Sequence, residues 1–447
     1  MKISRRTALF FILCSCGISV FWGSIIAHGS PIGLTDFKAV FYGSRCLIDH
    51  SDPYRSADIR AAYLGDGQQF PTDPMRGDLF RRAFLVCVNL PTAMFLIIPF
   101  AWLPLFPAYL LWALTMTVGL ALSSFLIWDL AAAKSSPLAL LLVCVLCANC
   151  VVLFTYGNTA GIVISLCVIA VWCFLQDRFV PAGLVFLALG LAIKPHDAGL
   201  VWLYFLLAGG NYRKRAWQTL TVAIAICLPA VLWVNHIVPN WLPELRANLH
   251  LAGMRGGLND PGPAAIGFHQ PNAIISLQTV ISVFRDDPRI YTPISLLVAG
   301  ALVLLWIVVT LRLHASERNA WLALAVIAPL TMLVTYHRQH DAKLLLLTIP
   351  ACALLWSKRG VAGWLAILAN SAAIVITSDI PATYLSIITS HQSVGAGFFG
   401  ELKAALLVRP TPIALLFLAS FYLWVYMKQI TGKQISSIQP VGLEMQT

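Results

Sequence analysis

Between Asp36 and Tyr54 the chain reads DFKAVFYGSRCLIDHSDPY, a carboxylate followed by aromatics and a turn-forming Asp-Pro-Tyr, shortly after a long apolar run ends. A carboxylate just outside a hydrocarbon slab is costly to hold unless it pairs or works. Asp36 is therefore the first candidate for chemistry, as a general base. Further along, Lys194, Pro195 and His196 stand between two short apolar runs, and His337-Arg338-Gln339-His340-Asp341 follows another. Together these stretches offer a base, cations and imidazoles. That set suits a group transfer in which one residue removes a proton and others receive a departing anion, such as a lipid phosphate. Each residue also has a plain structural role open to it. Asp36 can cap a helix, Lys194 can snorkel to the headgroups, Arg338 and Asp341 can pair with each other, and Asn158 can satisfy the turn at Tyr156-Gly157-Asn158. His337 and His340 lie one turn apart, which imitates metal ligation but reads as interfacial hydrogen bonding; no metal and no cofactor are expected.

These residues need a scaffold, and composition sets its class. The chain has 447 residues, 59% hydrophobic and 11% charged, where a water-soluble surface normally needs roughly 25% charged residues. The expectation is an all-α polytopic membrane protein forming a single membrane domain over 1–447. The net charge of +11 comes from Lys and Arg gathered at the ends of apolar runs, as the positive-inside rule requires, so no nucleic-acid partner is expected. Ten of the eleven cysteines lie in apolar segments and only Cys46 falls in an external loop, so no structural disulfide is predicted. Cys144, Cys147 and Cys150 have helical spacing but lack the fourth ligand and compensating charge of a zinc site.

An apolar first helix follows Lys2, Arg5 and Arg6, with the N-terminus inside. A first external loop over 28–82 carries Asp36, and its Asp-Pro pairs predict short interfacial helices and turns. Residues 83–102 are apolar but broken by Pro91 and Pro99. Spans are predicted near 106–128, 137–155, 159–175, 180–193, 198–208 and 216–236. A second external loop over 237–291 follows, in which Arg255 and His269 are lesser candidates for substrate contact. Further spans fall near 292–312, 320–336, 342–356, 360–378 and 411–427, with a short cytoplasmic tail at 428–447.

Cytoplasmic termini require an even number of crossings. Treating 83–102 as re-entrant or interfacial places Lys134, Arg178 and Arg213 to Arg215 inside, and Asp36, Asn158, Lys194 and His340 together outside. The alternative, one broken pass over 180–208, puts Asn158 inside and Lys194 in mid-membrane.

Asp36-Phe37 opening the first external loop, Asp52-Pro53-Tyr54 about sixteen residues later, Gly157-Asn158, the Lys194-Pro195 break and the late His340-Asp341 together resemble glycosyltransferase family 87, over most of the chain to about residue 350. The resemblance implies a GT-C-like fold with about twelve transmembrane helices and a polyprenyl-phosphate sugar as donor substrate, with mannose the first guess. It assigns Asp36 as the catalytic base and Lys194, Arg338 and His340 to the donor phosphate. Tyr54, Asn158, His196, His337 and Asp341 are the candidates for substrate contact. The implied partners are the lipid bilayer, the polyprenyl-phosphate sugar and a glycan or glycolipid acceptor. The implied place is the inner (plasma) membrane, with the site open to the periplasm or exterior. Two other readings stay open. A lipid-linked-sugar transporter or flippase would show two related halves, and no second copy of the DF...DPY loop or of Lys-Pro exists in the chain. A polysaccharide polymerase or ligase would want more arginine in the second loop.

Overall fold

Inside a bilayer every backbone N–H and C=O has to be satisfied within the protein, which leaves an apolar chain the choice of helices or a closed barrel. The computed structural model describes residues 2–30, 32–263, 274–314, 316–334, 336–389 and 397–436, and all regular elements among them are helices. Large apolar side chains such as Phe10, Leu297, Leu304, Trp364 and Leu368 stand exposed on the outer flanks. Such surfaces are stable against hydrocarbon and not against water. The protein is a polytopic helical membrane protein.

Six helical stretches are long and apolar enough to cross: Arg5–Gly29, Leu105–Tyr156, Gly210–Ile237, Pro288–Arg312, Glu317–Val334 and Pro410–Ile430. A seventh arises if Val361–Ile376 and Asp379–Leu385, bent by 66° at their junction, form one span. Helix length therefore does not establish the expected count of about twelve. One reason is fusion. Leu105–Ala148 runs through two expected spans, interrupted only at Ser135, where φ is −156° and ψ is 87°. Another is shortness, since Pro91–Ala101, Ala160–Leu175 and Val180–Ile193 reach only about 17–24 Å against a hydrocarbon core of about 30 Å. The region 83–102 splits into the end of Pro74–Phe84 and the 11-residue Pro91–Ala101.

The first loop folds as three helices, Thr35–Ile48, Ser56–Gly65 and Pro74–Phe84. Aromatic side chains hold them together, with the ring of Tyr63 at 4.8 Å from that of Phe84 and at 5.3 Å from that of Tyr42. The second loop contributes Trp241–Gly253 and Gln278–Phe284. The expected tail from 428 begins as helix, since the last helix runs over Pro410–Ser436.

At the centre stands Glu317–Val334, apolar nearly all round and buried from Asn319 to Leu333, as such a helix must be. It delivers the chain to Tyr336–Asp341. From Gln339 to Thr348 the backbone then winds as a buried 3₁₀-helix before continuing as Ile349–Ser357. The span expected over 342–356 is thus half 3₁₀. Runs of this geometry beyond one turn are uncommon and mark sites under constraint.

Candidate functional site

Asp36 lies in the first turn of Thr35–Ile48, where the N-terminal end of the helix dipole favours a negative charge. Leu34, at φ 59°, turns the chain into this helix, and its N–H donates to Thr155 O at 2.8 Å. The 151–158 segment is thereby fixed beside Asp36. Asn158 Nδ2 donates to Asp36 Oδ2 at 2.7 Å, while Asn158 Oδ1 accepts from Ala160 N at 2.8 Å. That second bond sets the amide's orientation, so only its NH₂ group can face the carboxylate. Between them sits Gly157, at φ +66°, where an added Cβ would lie 2.7 Å from Phe37 Cβ; backbone sign and space both demand glycine. Trp112 Nε1 closes the turn by donating to Gly157 O at 2.9 Å. Among the described residues Asp36 has no cation within ion-pair distance.

The second half is built at a helix break. Val180–Ile193 and Pro195–Leu207 meet at Lys194, whose φ of −147° and ψ of 78° leave the helical region because Pro195 disfavours helix in the residue before it. Thr92 Oγ1 donates to Ala192 O and pins the break to Pro91–Ala101. The ammonium of Lys194 donates to Asp341 Oδ1 and lies 3.0 Å from Asp197 Oδ2. His337 Nε2 is 3.2 Å from Asp197 Oδ1, and the His196 ring packs edge-on at 5.0 Å from the His337 ring. His340 Nε2 is 3.6 Å from Asp341 Oδ1. Burial, only partly offset by the Asp341 carboxylate and reinforced by the charge of Lys194, pushes His340 down to about 4.

Arg338 and Asp341 do not pair through their charges. Asp341 Oδ2 accepts from the backbone N–H of Arg338 at 2.8 Å, leaving the guanidinium free to turn elsewhere. It donates to the Tyr336 hydroxyl, to Leu258 O at 3.0 Å and to Asn259 Oδ1 at 3.1 Å. All three acceptors are neutral, and the nearby opposite charge is the Asp36 carboxylate, which acts on Arg338 without an ion pair.

Tyr54 is buried, its hydroxyl donating to Asn89 O at 3.1 Å, and Asn248 Nδ2 donates to its carbonyl at 3.0 Å. It sits where the first loop meets the second and makes no contact with the Lys194 group. In that same seam Glu244 faces Asp52, and hydrogen bonding to that carboxylate, with burial adding to it, pushes Glu244 up to about 7. Arg255 Nη2 is engaged with Asp286 at 2.6 Å. His269 lies outside the described residues.

His196, Asp197 and His337 each present one ligand atom, all within 4.8 Å of one another. Among the described residues they are the group whose spacing fits a metal ion. The Lys194 ammonium, already on the same Asp197 carboxylate, would oppose a second cation there.

Sequence reasoning passed over Asp197, Tyr336, Asn259, Gln339 and Asp379. Asp197 carried a usable signal, since it stands three residues after Lys194 on one helical face. Asn259 and Asp379 carried none, because loops distant in sequence bring them in.

A polytopic helical membrane protein with an acid–base and cation-bearing cluster at its helix breaks is the class that fold and site define. The family model of glycosyltransferase family 87 matches residues 88–335, more than half of the chain. The chain belongs to glycosyltransferase family 87 and is a membrane glycosyltransferase. The matched region contains Asn158, Lys194 and His196, and ends between Asp36 and Tyr54 on one side and His337 to Asp341 on the other. No curated protein and no solved structure matches the chain.

Proposed function

We propose that the protein moves a hexosyl (mannosyl-like) or pentosyl group from a polyprenyl-phosphate sugar to a hydroxyl of a glycan or glycolipid acceptor, by inverting single displacement. The site would open to the periplasmic or outer face of the inner (plasma) membrane. The acceptor O–H gives its proton to Asp36, the acceptor oxygen forms the new bond to the anomeric carbon, and the carbon–oxygen bond to phosphate breaks. The phosphate leaves with that electron pair and is received by Arg338. General-base help of this kind contributes about 10²–10⁴-fold.

The observation that carries this reading is the contrast in partners. Asp36 is held by a neutral amide at 2.7 Å, which orients it without spending its negative charge, and its Oδ1 has no partner among the described residues. Arg338 gives its hydrogen bonds to neutral acceptors, with Asp36 near enough to act on it electrostatically but not paired with it, so a charge-assisted bond to an anion is still open to it. Lys194, already between two carboxylates, supports the donor site by fixing Asp341, and through it the 338–341 backbone.

The test is to incubate the purified protein with radiolabelled polyprenyl-phosphate sugars and a lipid extract. The expected outcome is a labelled product with the anomeric configuration opposite to that of the donor. Labelled donor that crosses proteoliposome membranes without giving product would replace the transferase reading with a transporter.

A further inference from the structure

Behind the site, and beyond the residues matched by the family, a buried carboxylate ties its two halves together. Asp379 opens the helix Asp379–Thr389, at the 66° bend after Val361–Ile376, and is nearly inaccessible to solvent at 6% exposure. Its Oδ1 accepts from Gln339 Nε2 at 2.5 Å, and its Oδ2 accepts from Val152 N at 2.9 Å. Gln339 is the residue between Arg338 and His340. Val152 is in the first turn of Val151–Tyr156, whose far end is Gly157-Asn158, the turn that holds Asp36. Lys343, also buried, reaches back across the same gap to donate to Asn149 O at 2.5 Å.

A buried carboxylate whose hydrogen bonds come from neutral donors, with the Lys343 ammonium near but not bonded to it, is an expensive way to join two segments, and an apolar contact would satisfy packing alone. What a carboxylate supplies is direction, since its two oxygens fix two donors at a set separation. We infer that Asp379 is a positioning residue for the transfer. It holds the Asn158 turn, and with it Asp36, at a fixed distance from the 338–341 segment that carries Arg338 and Asp341. The inference rests on the assignment of those two halves to base and phosphate. Its geometric core, that Asp379 couples segments 151–158 and 338–341, stands apart from any assay of transfer.

The experiment uses the full chain with Asp379→Asn and, because a buried site tolerates little change, Gln339→Met as a milder variant that cuts one arm only. Hydrogen exchange followed by mass spectrometry is measured on both, with kcat and donor KM alongside. Each variant is expected to speed exchange in 151–160 and 338–343 together while leaving Thr35–Ile48 protected. A shift of about 1 Å between reacting groups lowers rates by up to about 10²-fold. Accordingly kcat should fall at least tenfold for Asp379→Asn, with donor KM within about threefold, and combination with Asn158→Ala should fall short of the product of the single effects. Faster exchange in 151–160 alone, or a lowered melting temperature with unchanged kcat, would make Asp379 a local structural residue and overturn the inference. If Asp379→Asn does not fold, Gln339→Met decides by the same exchange criterion. Wild-type protein that transfers from no polyprenyl-phosphate donor would remove the functional assignment while the exchange data still decide the coupling.

Discussion

Two anchored charges, Asp36 and Lys194, stand in opposite electrostatic situations. Asp36 is gripped by a neutral amide and a helix N-terminus, so its orientation is fixed while its negative charge remains available. Lys194 is gripped by Asp197 and Asp341, and its charge is consumed where it sits. A cation between two short apolar runs reads, from sequence, as waiting for an anionic ligand; in the fold its anions are already there. A charge held by neutral partners is built to react or bind, and one held by counter-charges is built to keep chain segments in place. By that criterion the proposed receiver of the phosphate is Arg338, with Lys194 proposed to hold Asp341 in place.

The comparison breaks most visibly at Asp36. Asp36→Asn keeps the shape and removes the basicity, so transfer is expected to fall about 10²-fold or more, with the melting temperature and donor binding near those of wild type. Single-turnover transfer at saturating donor measures this, and wild-type turnover would remove Asp36 from the chemistry.

Lys194→Met acts on the other side of the contrast. It strands two buried carboxylates, and breaking a buried pair destabilises by about 3–5 kcal/mol. The variant should therefore lose folded protein in thermal or denaturant melts before it loses donor affinity, and Lys194→Met with Asp341→Asn should recover part of that loss. A stable Lys194→Met protein with weakened donor binding would instead return the phosphate to Lys194.

Arg338→Gln should do the reverse. Losing a charge-assisted contact worth about 1.5–3 kcal/mol is expected to raise the donor Kd by roughly tenfold to a hundredfold, with a smaller loss of stability than in Lys194→Met because the acceptors left behind, the Tyr336 hydroxyl, Leu258 O and Asn259 Oδ1, are neutral. Donor titration followed by intrinsic fluorescence reads the affinity directly.

The smallest effect belongs to the seam between the two external loops. Glu244 is held at about 7 by hydrogen bonding to the neighbouring Asp52 carboxylate and by burial, above the value of a free glutamate. The folded state thus binds this proton more tightly than the unfolded chain. The contact is fully present below the ordinary glutamate range and is lost as pH rises through about 7. Exchange protection of Trp241–Gly253 should fall between pH 5 and pH 8, and Glu244→Gln should flatten that dependence. A profile unchanged by the substitution would assign the pH effect elsewhere.

Much of the scaffold was legible before any coordinates. Hydrophobic runs and flanking charge set the membrane class, because continuous apolar runs of this length satisfy their backbone in lipid as helices, where a barrel would need alternating strands. Pro195 announced the break at Lys194, since a proline acts on its own neighbour. The ordered short motifs pointed to the family that the 88–335 match establishes. Local chemistry of this kind is written along the chain. The short helices were less legible, because a run of 11–16 apolar residues reads alike as half of a span or as a buried core segment.

What only the tertiary structure decided is which charges meet. Asn158 reaches Asp36 across 122 positions and Lys194 reaches Asp341 across 147, distances at which composition and spacing carry no information. His337 finds Asp197 and His196, not the His340 three residues on, because the extended backbone at Arg338 (φ −118°, ψ 170°) leaves His337 outside the 3₁₀-helix that carries His340. Asp379 gives no sign of a role until the 66° bend carries it between Val152 and Gln339. The sequence by itself determined a helical membrane glycosyltransferase and most of the ionisable residues that gather at its site. The pairing of those residues is a property of packing, because a charge's partner is set by the nearest opposite group in space, and that group is placed by helices far apart in the chain.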